Sequence, residues 1–225
     1  HAYPSSGFPT IGRTVLLSQI EWDNNSGWPY FNSESDRGLI VQDFKDDFEG
    51  NELKPIWRFD VGIENVSYQL SDGKLVLKDE RNGQFPAFLG VNPDAANGTF
   101  GIIVERGGDA LKSLTFYATR DNNLGIGVQG DSLIIWKLSG GNWEELEKIK
   151  LESSEKVYLN AQMKEGKEFV FSYSLNGNSW TDLATNVIGD NLAWWSWGMK
   201  AGISVKADIG SGDQMGAFEE FGVSY

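Results

Sequence analysis

The 225-residue chain has no cysteine and a single histidine, His1. Without cysteine there is no disulfide framework, no thiol nucleophile and no thiolate-bound metal. With histidine confined to position 1, a Ser-His-Asp or Cys-His relay would have to rest on the first residue. No apolar run approaches the roughly 20 residues that a membrane-spanning helix needs. The longest, such as Leu133-Ile134-Ile135-Trp136, are strand-sized. Positive charge is also short. Lys and Arg number 19 against 32 Asp and Glu, a formal net charge of −13. That field opposes a polyanion, so nucleic acid is not an expected partner, whereas a neutral ligand is.

What the chain does have is glycine, tryptophan and alternation. Its 27 glycines recur in turn-forming pairs: Asp72-Gly73, Asn82-Gly83, Asn97-Gly98, Gly107-Gly108, Gly140-Gly141 and Asn176-Gly177. Such pairs supply the positive φ of tight hairpins. Between them apolar and polar residues alternate. Val157, Leu159, Ala161 and Met163 fall on one face of a strand, as do Phe169, Phe171, Tyr173 and Leu175. Period 2 predicts half-buried antiparallel strands. Further strands are expected at 40–44, 66–70, 74–78, 87–91, 99–105, 113–119, 124–129, 132–137, 199–205 and 217–224. The stretch 141–151 has helical composition but reads equally as a twisted hairpin strand. Many short strands at close spacing predict an all-β, two-sheet antiparallel sandwich.

One segment breaks the pattern. Residues 32–38, Asn-Ser-Glu-Ser-Asp-Arg-Gly, are polar and aperiodic, as a linker is. They divide a short N-terminal piece (1–31) from a sandwich (39–225). Two strands alone are marginal, so the short piece is expected to pack on the sandwich or to belong to a domain that lies elsewhere. The chain reads as if it starts inside another domain, a fragment of a longer protein.

The N-terminal piece resembles the last blade of the five-bladed β-propeller of glycoside hydrolase family 43, which includes β-xylosidases and α-L-arabinofuranosidases. The resemblance rests on His1, Tyr3, Gly12, Arg13, Leu16, Ile20, Trp22, Gly27, Trp28 and Pro29. The remainder resembles the concanavalin-A-like β-sandwich (a jelly roll, carbohydrate-binding module family 91 type) attached to many of those enzymes. The matching stretches are 46–59, 72–77, 157–183, 199–205 and 217–225. The sequence departs from that pattern at Glu220, where an aromatic residue is usual, and in its Trp-rich run at 194–197.

Several residues are singled out. Nine tryptophans against about one per hundred residues in an average protein make aromatic sugar contact a question worth asking. Trp194, Trp195 and Trp197 precede a strand, and alternation cannot place all three in one core. The resemblance implies that this loop reaches over the propeller and lends an aromatic ring to the active-site pocket. Trp136 and Trp143 flank the Gly140-Gly141 turn, where they could be exposed, and are reserve candidates for sugar contact. Trp57 is expected in the core and Trp180 packed under its turn. The resemblance also implies that His1 projects into the propeller channel of the intact enzyme, and that Asp47 and Glu219 hold a structural Ca²⁺, with a solvated acidic face as the bland alternative.

For catalysis, glycoside hydrolysis needs two opposed carboxyl groups, and no array of alternating acids on one strand is present. In the family resembled, the catalytic acids lie in earlier blades. The expectation is therefore a non-catalytic accessory module. It would bind plant-cell-wall xylan or arabinoxylan, or xylo-oligosaccharides, and complete the active site of a catalytic β-propeller in the same enzyme. No nucleic acid or membrane partner is expected. The rival is a structural or oligomerisation module that touches no sugar.

Overall fold

The computed structural model describes residues 20–31, 41–60, 66–80, 85–192, 198–207 and 214–225. Among these, the strands in chain order are β1 (Ile20–Trp22), β2 (Pro29–Phe31), β3 (Phe44–Asp46), β4 (Arg58–Phe59), β5 (Val66–Ser71), β6 (Lys74–Asp79), β7 (Ala87–Val91), β8 (Gly98–Glu105) and β9 (Leu111–Thr119). They continue with β10 (Asn122–Gln129), β11 (Ser132–Ser139), β12 (Asn142–Lys150), β13 (Lys156–Lys164), β14 (Glu168–Ser174), β15 (Thr181–Ile188), β16 (Lys200–Lys206) and β17 (Met215–Ser224). A 3-10 turn, Asp190–Leu192, follows β15.

Two antiparallel sheets face each other. One runs β12-β11-β10-β9-β16-β7-β4; the other runs β15-β14-β13-β8-β17-β6-β5, with β3 pairing the end of β17. The all-β sandwich expected from the alternation is present. Tight turns set the local register. Asp72 and Gly73 both have positive φ (56° and 67°), which joins Ser71 to Lys74 in a two-residue hairpin. Gly140 and Gly141 (55° and 83°) do the same between Ser139 and Asn142.

Each strand turns alternate residues inward. Leu75 and Leu77 of β6, Phe100, Ile102 and Val104 of β8, and Val157, Leu159, Ala161 and Met163 of β13 enter one core with Leu114 and Phe116 of β9 and Ala201, Ile203 and Val205 of β16. Phe116 bridges the sheets. Its ring meets Phe100 edge-on at 5.2 Å and Phe169 at 4.3 Å.

The sandwich is closed at one end by the segment around β3. Phe44, Phe48, Trp57 and Phe221 form an aromatic cluster, with Trp57 5.0 Å from Phe221. Trp57 is buried, as expected. At its centre lies the buried carboxylate of Asp46, which accepts hydrogen bonds from Trp57 Nε1 (2.7 Å) and the Phe48 amide (3.1 Å) and pairs with the Lys54 ammonium (3.0 Å). A buried charge is tolerated only when its oxygens are satisfied in this way.

Some boundaries differ from the sequence expectation. The strand expected at 40–44 is found at Phe44–Asp46, because its pairing is set by Gly222↔Lys45 on β17. The ambiguous stretch at 141–151 is strand, paired along β11. Strand β15 was not anticipated; it is an edge strand, with a register shift against β14, so its pattern is weak. The Ile20–Phe31 hairpin forms a two-stranded sheet of its own and exposes Ile20, Trp22, Trp28 and Tyr30. The linker at 32–38 lies outside the described residues.

Replacing Asp46 tests the closing cluster. Asp46→Ala leaves the Trp57 indole and the Phe48 amide without an acceptor, at about 1–3 kcal/mol for each buried donor. Urea denaturation is expected to show a loss of about 3 kcal/mol, with Asp46→Asn losing less because one acceptor remains. Equal stability of Asp46→Ala and the wild type would contradict this account.

Candidate functional site

The predicted loop tryptophans Trp194, Trp195 and Trp197 lie outside the described residues, as does His1. Both anchors of the loop are described. On its N-terminal side Leu192 is fully buried, and Asn191 Nδ2 donates to the carbonyls of Leu138 (2.7 Å) and Asn123 (3.2 Å), which fixes the turn to β10 and β11. Lys137 bonds the Ile188 carbonyl (3.1 Å) and pairs with Asp190 (2.5 Å), and this contact holds the Asp190 carboxyl below its ordinary pKa. On the C-terminal side Met199 is buried in the core.

Trp136 is not exposed, which corrects the expectation of a surface ring. It is fully buried on the outer face of the seven-stranded sheet. Its cross-strand neighbour is Gly125, which has no side chain, so the indole lies down over β10 and donates Nε1 to Ser113 Oγ on β9 (3.1 Å). Trp143 stacks on it at 4.6 Å with a 15° interplanar angle. Trp143 is half-buried, and the Lys206 ammonium sits 5.0 Å from its ring centroid. With a parallel indole on one face and an ammonium over the ring, Trp143 offers no bare platform to a sugar.

The rest of this face is closed in the same manner. Phe88 stacks on Tyr117 at 4.4 Å, Thr115 and Ser204 share a hydrogen bond of 2.7 Å, and the Tyr117 hydroxyl donates to Asp60. Glycines here are structural. A Cβ at Gly90, Gly125 or Gly202 would overlap a ring or a neighbouring backbone. Burial pushes the nearby Lys200 ammonium below its ordinary pKa, with Asp60 opposing.

The residues proposed for Ca²⁺ do not fit the ion. Asp47 is exposed, and its Oδ1 accepts from the Glu49 amide (3.3 Å). Glu219 accepts from the Lys156 ammonium at 2.8 Å, and this contact raises the Lys156 pKa. The Lys74 ammonium also feels Glu219 and pairs with Glu105. Two ammonium groups beside the carboxylate oppose a dication. Ca²⁺ calls for six to eight oxygens, and among the described residues no group of three or more candidate ligands gathers.

The open surface is on the other sheet. A groove of about 650 Å³ lies on the outer face of the eight-stranded sheet, over β13, β8, β17 and β3. It is built from cross-strand rows. One row holds Tyr158, Ile103 and Glu220; the next holds Asn160, Gly101, Gly222 and Lys45; the third brings Thr99 and Ser224 together. The middle row lacks side chains at its two central positions, so it sinks between its neighbours. Trp180 extends the groove past Tyr158 and is 45 % exposed, not packed under its turn. The turn beside it is held by Ser174 Oγ, which accepts from the Gly177 amide (2.9 Å), and by Asn176 Oδ1, which accepts from the Asn178 and Ser179 amides (both 2.9 Å). Gly177 rests against the Tyr158 ring. These contacts leave the Trp180 ring free.

The charged groups of the groove are partnered. Lys45 and Glu220 pair at 2.7 Å. Asp43 accepts from Ser224 Oγ (3.3 Å) and the Tyr225 amide (3.0 Å). A signal for Tyr158 was present in the sequence: it is an aromatic residue on the polar face of an alternating strand.

No family model and no curated protein matches the sequence. The fold does have matches among solved structures. The chain is similar to a xylan β-1,4-xylosidase from Bacillus halodurans, with a TM-score of 0.75 and 15 % identity over 96 % of this chain and 48 % of that one. It is also similar to a GH43 protein from Bacillus licheniformis (TM-score 0.72, 19 % identity, 96 % and 48 %). A third, of which it covers 87 %, is a protein of unknown function from Shewanella oneidensis (TM-score 0.60, 9 % identity, 83 % of this chain). At these identities the likeness is one of fold. The chain spans about half the length of the two Bacillus proteins.

The opposite settings of two tryptophans are directly measurable. Trp136→Ala empties a fully buried site and is expected to cost ~3–5 kcal/mol of stability. Trp180→Ala removes a ring from an open surface and is expected to stay within about 1 kcal/mol of wild type. Comparable losses in denaturant titrations of both variants would refute the assignment of one ring to the packed face and the other to the groove.

Proposed function

We propose that this chain is the accessory sandwich of a hemicellulose-degrading glycoside hydrolase, and that it binds a xylan or arabinoxylan chain rather than cleaving one. The observation that carries the reading is the groove lined by both the exposed Trp180 indole and the Tyr158 ring. Sugar rings have apolar C–H-rich faces that stack on flat aromatic rings, and polar edges that hydrogen-bond. Trp and Tyr provide such faces at low ordering cost. The fold likeness to xylosidase-type proteins supplies the class of polysaccharide, and the net charge of −13 favours a neutral one. Of the groove's carboxylates, Glu220 is paired with Lys45 and Asp43 accepts from the Ser224 hydroxyl and the Tyr225 amide.

The test is calorimetric titration with xylohexaose and pull-down on insoluble xylan. Saturable binding is expected, and Trp180→Ala should weaken it roughly three- to tenfold, the equivalent of a stacking contact of about 0.5–1.5 kcal/mol. No binding to xylan, arabinoxylan or their oligosaccharides would leave the structural or oligomerisation module as the better account.

A second part of the proposal concerns the loop. Its anchors, Leu192 and Met199, are buried core residues, a mount suited to holding an aromatic ring in the pocket of a catalytic domain. In the full-length enzyme, changing Trp194, Trp195 or Trp197 to Ala should lower kcat/KM several-fold at one position with Tm retained. If all three variants melt early and keep normal activity per folded molecule, the loop is packing only.

A further inference from the structure

We infer that the sunken part of the groove on the eight-stranded sheet is a binding site for a short internal stretch of a neutral, flat polysaccharide chain, and that Gly101 and Gly222 are its floor. The inference rests on the carbohydrate-binding reading above and assigns that binding to a place.

Gly101 and Gly222 are direct cross-strand partners in the middle of β8 and β17. Glycine weakens a strand interior, and where it stands there it often marks close approach by a ligand or another backbone. Neither residue adopts positive φ. A Cβ on Gly101 would meet only the Leu159 carbonyl, at 3.7 Å, and one on Gly222 only the Phe44 carbonyl, at 3.8 Å. Both are ordinary contacts. The fold therefore does not require glycine at either position, in contrast to Gly90, Gly125 and Gly202 on the opposite sheet, where an added methyl would collide. What the two glycines provide is space above the sheet.

The dimensions of that space suit sugar rings. The flanking rows lie four residues apart along β8, from Thr99 to Ile103, or about 13 Å at the usual rise of ~3.3 Å per residue. Asn160 and Lys45 close the middle row three strand spacings apart, about 14 Å. Tyr158 and Trp180 present aromatic surface at one side, and Asn160, Thr99 and Ser224 place hydrogen-bonding groups around the rim. Lys45 and Glu220 neutralise each other. A ligand carrying carboxylates would find no uncommitted cation among the described groove residues, and would also face the acidic chain as a whole. A neutral, hydroxyl-rich chain meets no such penalty.

The experiment is a double variant, Gly101→Thr with Gly222→Thr, assayed beside the wild type by calorimetry against xylohexaose, cellohexaose and a hexagalacturonate. Threonine favours strands, so the melting temperature is expected to hold or rise. Affinity for the neutral hexaose that the wild type binds is expected to fall at least tenfold, and the galacturonate is expected not to bind either protein. If the double variant fails to fold, Gly222→Ala carries the same test, with a loss of roughly threefold. A wild type that binds xylohexaose and a folded variant that binds it equally well would overturn the floor assignment and leave the carbohydrate-binding reading in place. A wild type that binds none of the three would overturn both. Self-association of the wild type that the double variant abolishes, without sugar binding, would assign the surface to a second copy of the chain.

Discussion

Each strand of the sandwich must commit every second residue to the shared core. That alternation is imposed by the pleat, and it leaves only the two outer faces and the loops for anything besides folding. The core between Phe100, Phe116 and Phe169 is continuous across both sheets. It therefore fixes the register of all the strands, and through that register it decides which outward residues become neighbours. The groove is a product of this constraint. Gly101 faces Gly222, and Tyr158 stands beside Ile103, because Leu159, Ile102 and Phe221 are held inward on the same strands.

The outer faces use glycine in opposite ways. On the seven-stranded sheet, Gly125 lets the Trp136 indole fold down onto its own sheet, and Gly202 lets β16 and β7 lie close. Rings and hydroxyls fill the spaces so made, and the face is finished as a second, thinner layer of packing with Trp136, Ile134, Leu138 and Leu111. On the eight-stranded sheet the corresponding vacancy over Gly101 and Gly222 is left open. Composition alone cannot separate these cases, since each is a glycine in a strand interior. The difference lies in what a Cβ would touch.

That contrast explains what could be read from the sequence. The turn pairs and the alternation are local properties, so the fold class and most strand positions were legible. Trp57 in the core followed from the resemblance of stretch 46–59 to the family pattern. Trp136 was misread because its exposure depends on Gly125, eleven residues away and opposite only once β10 and β11 pair. Trp180 was misread because its turn is held by Ser174 and Asn176 side chains without the indole. Asp47 and Glu219 were read as ligands from the resemblance, and the sequence does not reveal that Lys156 and Lys74 arrive near Glu219 from β13 and β6. The groove depends on three pairings at once, β13 with β8, β8 with β17 and β17 with β3, and the chain brings residues 45, 101, 160 and 222 together only in the folded state.

The placement of the groove relative to the Trp-bearing loop bears on what an accessory sandwich could contribute. The loop is anchored on β10 and β11 of one sheet, by Asn191. The groove lies on the outside of the other sheet, and packed sheets stand about 10 Å apart. The groove is therefore on the sheet that does not carry the anchoring contacts of Asn191. On the proposed reading, the groove would keep substrate near a catalytic domain and raise its effective concentration there. On this account, loss of the groove should be felt on polymeric substrate and hardly at all on a small aryl glycoside, because a ligand too short to span both sites gains nothing from being held at one.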